Sequence, residues 1–191
     1  MRATFPLGVS PRAAADDGAS RVIGWRVARS AVGDVLVAAT AKGVCAVRFG
    51  APLDDLLDEL RHEHPDADLL EDPGLDPTAA TVATLAGSHH DEVDTDALAL
   101  DLHGTPFQTR VWDVLRAVPS GTTTTYKEIA EAIGRPDACR AVGGAIAANP
   151  IGIVVPCHRV IRSDGHLGGY RWGAGAKAHL LEVEGAPQPV P

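Results

Sequence analysis

Pro156-Cys157-His158-Arg159-Val160 follows the mostly apolar run Ile151 to Val155, which is itself preceded by Asn149-Pro150. A Cys-His pair arises easily by chance. A cysteine behind a β-branched run, set between a proline and a His-Arg pair, with an Asn-Pro turn upstream, does not. The apolar run predicts a short strand that delivers Cys157 at its end. A thiol is a strong nucleophile only as thiolate and needs a nearby base or positive charge. His158 and Arg159 offer one of each.

Outward from this stretch the chain is helical and well punctuated. Thr105-Pro106-Phe107-Gln108 is a capping box with proline at the first helical position, and Phe107, Val111, Val114, Leu115 and Val118 follow on one face. Thr125-Tyr126-Lys127-Glu128 is a second capping box, opening a short helix with Ile129, Ala130 and Ile133 inside. Gly134-Arg135-Pro136 turns the chain, and Asp137 is expected to cap a helix with Ala138, Ala141, Val142, Ala145 and Ile146 as its buried stripe. Two short helices joined by a tight turn form a helix-turn-helix pattern. Ala174 to Glu184 reads as a last helix stopped by Gly185. Glu184 opposes the dipole at that helix's C-terminus, so some partner is expected to hold it there.

The first half has another texture. Residues 25–49 read as three short antiparallel strands with turns at Gly33-Asp34 and Lys42-Gly43. Pro52 to His64 reads as a helix through Leu53, Leu56, Leu57 and Leu60. Asp76 or Thr78 is expected to cap a second helix running to about Leu85, and Leu98 to Leu102 to add a strand. The organisation expected is a flexible leader over 1–20, an N-terminal α+β domain over 21–100, a catalytic domain over 101–186 and a flexible tail over 187–191. The fold class is α+β: a small antiparallel sheet with helices, then a mostly helical domain with a helix-turn-helix.

The chain has 191 residues, enough for a sizeable core. No apolar run approaches a membrane span, and residues 1–20 lack the apolar segment of a signal peptide. Three cysteines at 45, 139 and 157 share no metal-ligand spacing, which predicts free thiols in a reducing compartment, no metal and a cytoplasmic protein. Cys45 and Cys139 are read as packed or partly exposed. The pairs His62/His64 and His89-His90, and also His103, His166 and His179, are read as surface residues. Trp112 is read as packing. Residues 1–100 hold 8 Lys and Arg against 17 Asp and Glu, net −9, whereas residues 101–191 hold 9 against 8, net +1. The acidic load thus lies away from the motifs, and modest, salt-sensitive nucleic-acid affinity survives an overall charge of −8.

From Phe107 to Gly185 the chain resembles the O6-alkylguanine-DNA alkyltransferases of bacterial type. The motifs are Arg140-Ala141-Val142-Gly143-Gly144, Ala148-Asn149-Pro150, Pro156-Cys157-His158-Arg159-Val160-Ile161, Gly169-Tyr170-Arg171-Trp172-Gly173, and Leu180-Leu181 with Glu184-Gly185, in the family's order and spacing. Residues 21–100 match the family's variable N-terminal domain in size and element order only. The four-cysteine zinc sensor domain of some relatives is expected to be absent.

The resemblance implies irreversible, stoichiometric transfer of the alkyl group from O6-alkylguanine, and from O4-alkylthymine, in double-stranded DNA to Cys157. No cofactor is implied. A Glu184–His158–water–Cys157 relay ionises the thiol, Asn149 pins the active-site turn, and Tyr126 donates a proton to the leaving guanine. The target base must be flipped out. The recognition helix enters the minor groove with Arg140 filling the space left by the base, and Ala141, Gly143 and Ala147, with Tyr126, line the DNA contact. Tyr170, Val160, Arg171 and Gly152 match the guanine pocket. The partner implied is lesion-bearing duplex, bound by a monomer, with cooperative assembly along DNA left open.

Gly152 stands where some family members carry proline. It is expected to remove a pocket wall and alter tolerance for bulky adducts, with Trp172 opposing the effect. Two rival classes remain at this stage. A Cys-His hydrolase would need an oxyanion hole and a substrate that water can finally release, and the thiol is expected here to follow a strand rather than open a helix. A non-catalytic lesion-binding or regulatory helix-turn-helix protein would lack the reactive cysteine, which is present here.

Overall fold

Strand β1 (Arg21–Ser30), β2 (Gly33–Ala39) and β3 (Val44–Phe49) form the expected antiparallel meander in this computed structural model, which describes residues 6–10, 13, 21–87 and 94–187. A strand not anticipated, β4 (Ala67–Glu71), adds parallel to β1, so the sheet order is β3-β2-β1-β4. Its sequence ADLLE lacks β-branched residues, which is why the pattern does not announce it. Every residue from Val35 to Ala39 and from Val44 to Phe49 is buried, because both sheet faces are covered. Leu36, Ala38, Cys45 and Ala46 meet Leu56, Leu57 and Leu60 of helix α1 (Leu53–Glu63) on one face. Val35, Val37, Val47 and Phe49 face the other way, into a core shared with helix α2 (Asp76–Leu85) and the C-terminal half. The α+β class expected from the sequence is the class observed.

Several local expectations need correction. Neither Asp76 nor Thr78 caps α2: the chain enters it through a 3₁₀ turn, Pro73–Leu75, capped by Asp72, and the Thr78 hydroxyl accepts from the Gly8 amide. Leu98 to Leu102 is not a strand. It makes one bridge, Val44 to Leu100, and then turns away. Residues 6–10 are not a loose leader. Ser10 is fully buried and donates to Asp72, and the Leu7 carbonyl accepts from Ala99. The remainder of the 1–20 leader (13 apart), the His89-His90 pair and residues 188–191 of the tail lie outside the described residues.

The C-terminal half holds helix α3 (Pro106–Arg116), α4 (Tyr126–Ala132), α5 (Cys139–Ala147) and α6 (Ala174–Val183). Both predicted capping boxes form, at Thr105 with Gln108 and at Thr125 with Glu128. α4 and α5 are the expected two-helix unit, but Asp137 does not cap α5. It lies in a 3₁₀ turn, Pro136–Ala138, that leads into the helix. Val142, Ala145 and Ile146 are buried as expected. Ala141 is exposed, since the stripe that packs on α3 is narrower than the run of apolar residues. Trp112 of α3 anchors α5 by donating its indole N–H to the Ala145 carbonyl at 2.9 Å. A two-residue parallel pair, β5 (Thr124–Thr125) with β6 (Val160–Ile161), ties the start of α4 to the chain just past Cys157.

Candidate active site

The run Ile151 to Val155 is not the strand its composition predicts. It makes one parallel bridge to β3, Val47 to Ile151, and then closes into tight turns, with Val154 N–H bonding the Gly152 carbonyl and Val155 N–H bonding Ile151. Ile153 sits at φ 70°, the one non-glycine residue with positive φ among the described residues, and its side chain is fully buried. Local backbone bonds have won over sheet pairing because Asn149 organises the arch. Its Oδ1 accepts from Ile151 N–H at 3.0 Å, and its Nδ2 donates to the Val155 carbonyl at 2.8 Å. The same Nδ2 lies 3.3 Å from the Cys157 sulfur. Cys157 therefore opens a 3₁₀ turn, Cys157–Arg159, rather than ending a strand.

Cys157, His158, Arg159 and Glu184 are all buried. His158 Nε2 lies 2.7 Å from Glu184 Oε1. Arg159 grips the same carboxylate with two bonds of 2.9 Å and also donates to the Val118 carbonyl. This answers why a carboxylate ends α6: the Arg159 guanidinium and the hydrogen bond with His158 outweigh the helix dipole. Burial alone would raise the Glu184 pKa, but its bonds to His158 and Arg159 prevail and hold it at about 2. Burial lowers the His158 pKa, and the Glu184 contact only partly offsets this. The imidazole is thus neutral at rest and able to take a proton. Burial pushes the Cys157 thiol up to about 11, against the opposing pull of Asn149, Lys177 and Tyr170. The resting sulfur is a thiol whose ionisation depends on these neighbours.

Lys177 was missed from sequence. It is fully buried and its ammonium donates to the Val160 and Leu167 carbonyls at 2.5 Å and to Gly169 at 3.4 Å. Burial lowers its pKa to about 8, opposed by the Cys157 sulfur. A signal was available: Lys177, Leu180, Leu181 and Glu184 are spaced i, i+3, i+4, i+7, so the lysine lies on the inward face of α6.

A cavity of about 490 Å³ opens over Cys157, within the ~300–1,000 Å³ usual for small-molecule sites. Tyr126, Gly143, Ile146, Ala147, Tyr170 and Trp172 are among its walls, and Arg171 and Cys139 also reach it. It lies between the two-helix unit and the Gly169–Gly173 segment. Burial raises the Tyr126 pKa, with the Cys157 sulfur adding to the effect, so the phenol keeps its proton. The Tyr170 hydroxyl faces the same sulfur, and its pKa too is raised by burial. Arg140 and Ala141 are exposed at the start of α5, with Ala147 exposed at its end. Val160 and Gly152 do not line the cavity. Val160 contributes its carbonyl to Lys177, and Gly152 is covered by Trp172: a Cβ there would stand 2.6 Å from Trp172 Cζ3. The wall that glycine removes is therefore supplied by the tryptophan.

Among the described residues no group of three His, Cys, Asp or Glu could hold a metal ion, and no helix is long and apolar enough to cross a membrane. Residues 106–186 match the family model for the 6-O-methylguanine DNA methyltransferase, DNA binding domain. The chain is 42% identical over 160 residues to the methylated-DNA–protein-cysteine methyltransferase of Methanosarcina barkeri, covering 84% of this chain and 96% of that protein. It is 38% identical over 183 residues to the bifunctional transcriptional activator/DNA repair enzyme Ada of Escherichia coli, covering 96% of this chain and 51% of Ada. The chain thus spans about half the length of Ada. A crystal structure of Mycobacterium tuberculosis OGT in complex with DNA superposes with a TM-score of 0.69 at 35% identity, covering 86% of this chain and 95% of that one. Fold and site together define a two-helix unit packed beside a buried thiol, within the residues that match a DNA binding domain model. The chain belongs to the methylated-DNA–protein-cysteine methyltransferase family.

Proposed function

We propose that this protein repairs O6-alkylguanine in double-stranded DNA by moving the alkyl group irreversibly to Cys157. The observation that carries the reading is Cys157 in the lining of a cavity beside α5, its sulfur 3.3 Å from buried Asn149, with the buried His158–Glu184–Arg159 group directly following it in the chain. The sulfur attacks the alkyl carbon, the carbon–oxygen bond breaks, and its electron pair leaves on the guanine O6. His158 takes the thiol proton through a bridging water, with Glu184 stabilising the imidazolium. Tyr126 is a protonated phenol on the cavity wall and supplies a proton to the leaving guanine. The product thioether has no hydrolytic exit, so each molecule acts once.

The cavity over Cys157 receives the alkylated guanine only if the base leaves the stack. Exposed Arg140 at the start of α5 is suited to fill the gap, and the small residues Ala141, Gly144 and Ala147 permit close approach to a minor groove. O4-alkylthymine presents the same displacement chemistry and is a second substrate. The protein acts as a cytoplasmic monomer.

Incubation with a duplex holding one O6-methylguanine, followed by intact mass and peptide mapping, tests this. One added methyl on Cys157 with one repaired lesion per molecule is expected. Repair of many lesions by one unmodified molecule would favour a hydrolase, and tight binding without modification would favour a lesion-binding protein.

A further inference from the structure

Edge strand β3 meets the segments around the cavity through two neighbouring side chains pointing to opposite faces. Phe49 stacks on Trp172 with ring centroids 4.7 Å apart and lies 6.5 Å from Tyr170. Arg48 is fully buried on the α1 side and donates to the Pro150 carbonyl, within the arch that Asn149 organises, and to Glu63 of α1. Glu63 in turn lies 2.8 Å from Arg171, and Glu59 3.2 Å from it. Two arginines and two carboxylates thus join α1, β3, the arch and the Gly169–Gly173 segment. Arg171 Cζ also lies 5.9 Å from the Trp172 ring centroid. Burial pushes the Glu63 pKa up, but Arg171 and Arg48 outweigh it and keep the carboxyl ionised.

We propose that the N-terminal domain sets the width of the alkyl pocket. Glu59 and Glu63 of α1, with Glu63 anchored on buried Arg48, fix Arg171 and so hold the Tyr170–Trp172 wall against Phe49. The acidic character of α1, which reads in sequence as a solvated face, has a positioning role at these two carboxylates. The inference rests on the alkyl-transfer reading for its substrate, but not for its mechanics. Glu59 and Glu63 touch no part of the cavity over Cys157 and act only through Arg171.

The test compares wild type with Glu59→Gln/Glu63→Gln. Two quantities are read: hydrogen exchange at amides 169–173, and the ratio of single-turnover rates on O6-benzylguanine and O6-methylguanine duplexes. Loss of the clamp is expected to speed exchange there and raise the benzyl-to-methyl ratio by about threefold or more. Exchange in α4 and α5 and affinity for undamaged duplex are expected to stay as in wild type, which a general loss of stability would not allow. If neutralising Glu63 beside buried Arg48 unfolds the protein, Glu59→Gln alone keeps that charge and gives the same changes at smaller size. Unchanged exchange and an unchanged ratio in a folded variant would overturn the proposal. A wild type that reacts with neither lesion would instead overturn the transferase reading, while the exchange comparison would still report on the clamp.

Discussion

At the residue scale, two buried charges govern the sulfur and the fold around it. Glu184 has a folded pKa near 2 against a usual 4.5, so its stabilisation is fully present above about pH 4.5 and is lost as pH falls toward 2. Glu184→Gln strands the buried Arg159 guanidinium and is expected to destabilise by roughly 3–5 kcal/mol at neutral pH. That difference should shrink steadily between pH 4.5 and 2 in urea unfolding; a pH-independent difference would contradict the ionic role. Lys177 carries its charge below about pH 8 and there favours the Cys157 thiolate. Lys177→Met should slow iodoacetamide labelling of Cys157 by about three- to tenfold below pH 8. The gap should close as pH rises past 8, where the wild-type ammonium also loses its proton. Peptide mapping separates Cys157 from the partly exposed Cys139.

At the scale of elements, legibility followed locality. Both capping boxes and the α4–α5 unit were plain, because each is specified by residues three or four apart. The arch 151–155 reads as a strand because its β-branched composition is a propensity, and Asn149 overrides it from outside the run with two bonds to Ile151 and Val155. The Gly152–Trp172 fit joins residues twenty apart and left no local mark. Gly152→Ala should cost about 1–3 kcal/mol through overpacking. Trp172→Leu should relieve it, giving a coupling above ~1 kcal/mol in a double-mutant cycle of thermal melts. Additive costs would show that the two residues do not share that space.

At the scale of the whole molecule, charge is divided between the two halves of the chain, and the division is productive. The acidic half meets the basic half through α1 and Arg171 rather than through DNA. Lys127, Arg135 and Arg140 are exposed on the α4–α5 unit, and Arg162 is exposed just past β6. With at most four phosphate contacts, log affinity against log salt should slope no more steeply than about −3.6. A much steeper slope in fluorescence-anisotropy titrations would require further cations or several copies on the DNA. Family membership and the two-helix unit α4–α5 were legible in short motifs. The joining of the two halves at Arg48, Phe49, Glu59 and Glu63 was not, since their partners lie more than a hundred residues away, 102 for Arg48–Pro150 and 112 for Glu59–Arg171.

Ile153 holds a left-handed torsion that a β-branched side chain resists, at the crown of the arch leading to the thiol. An enzyme that cycles must return to its starting shape after every event, and a taut segment can slow that return. On the single-transfer reading proposed above, the molecule is spent in one act and has no second round to prepare for. Selection on such a chain acts on readiness alone, so a tensioned backbone beside the sulfur carries no penalty in turnover. On that reading the protein is a pre-set reagent rather than a machine.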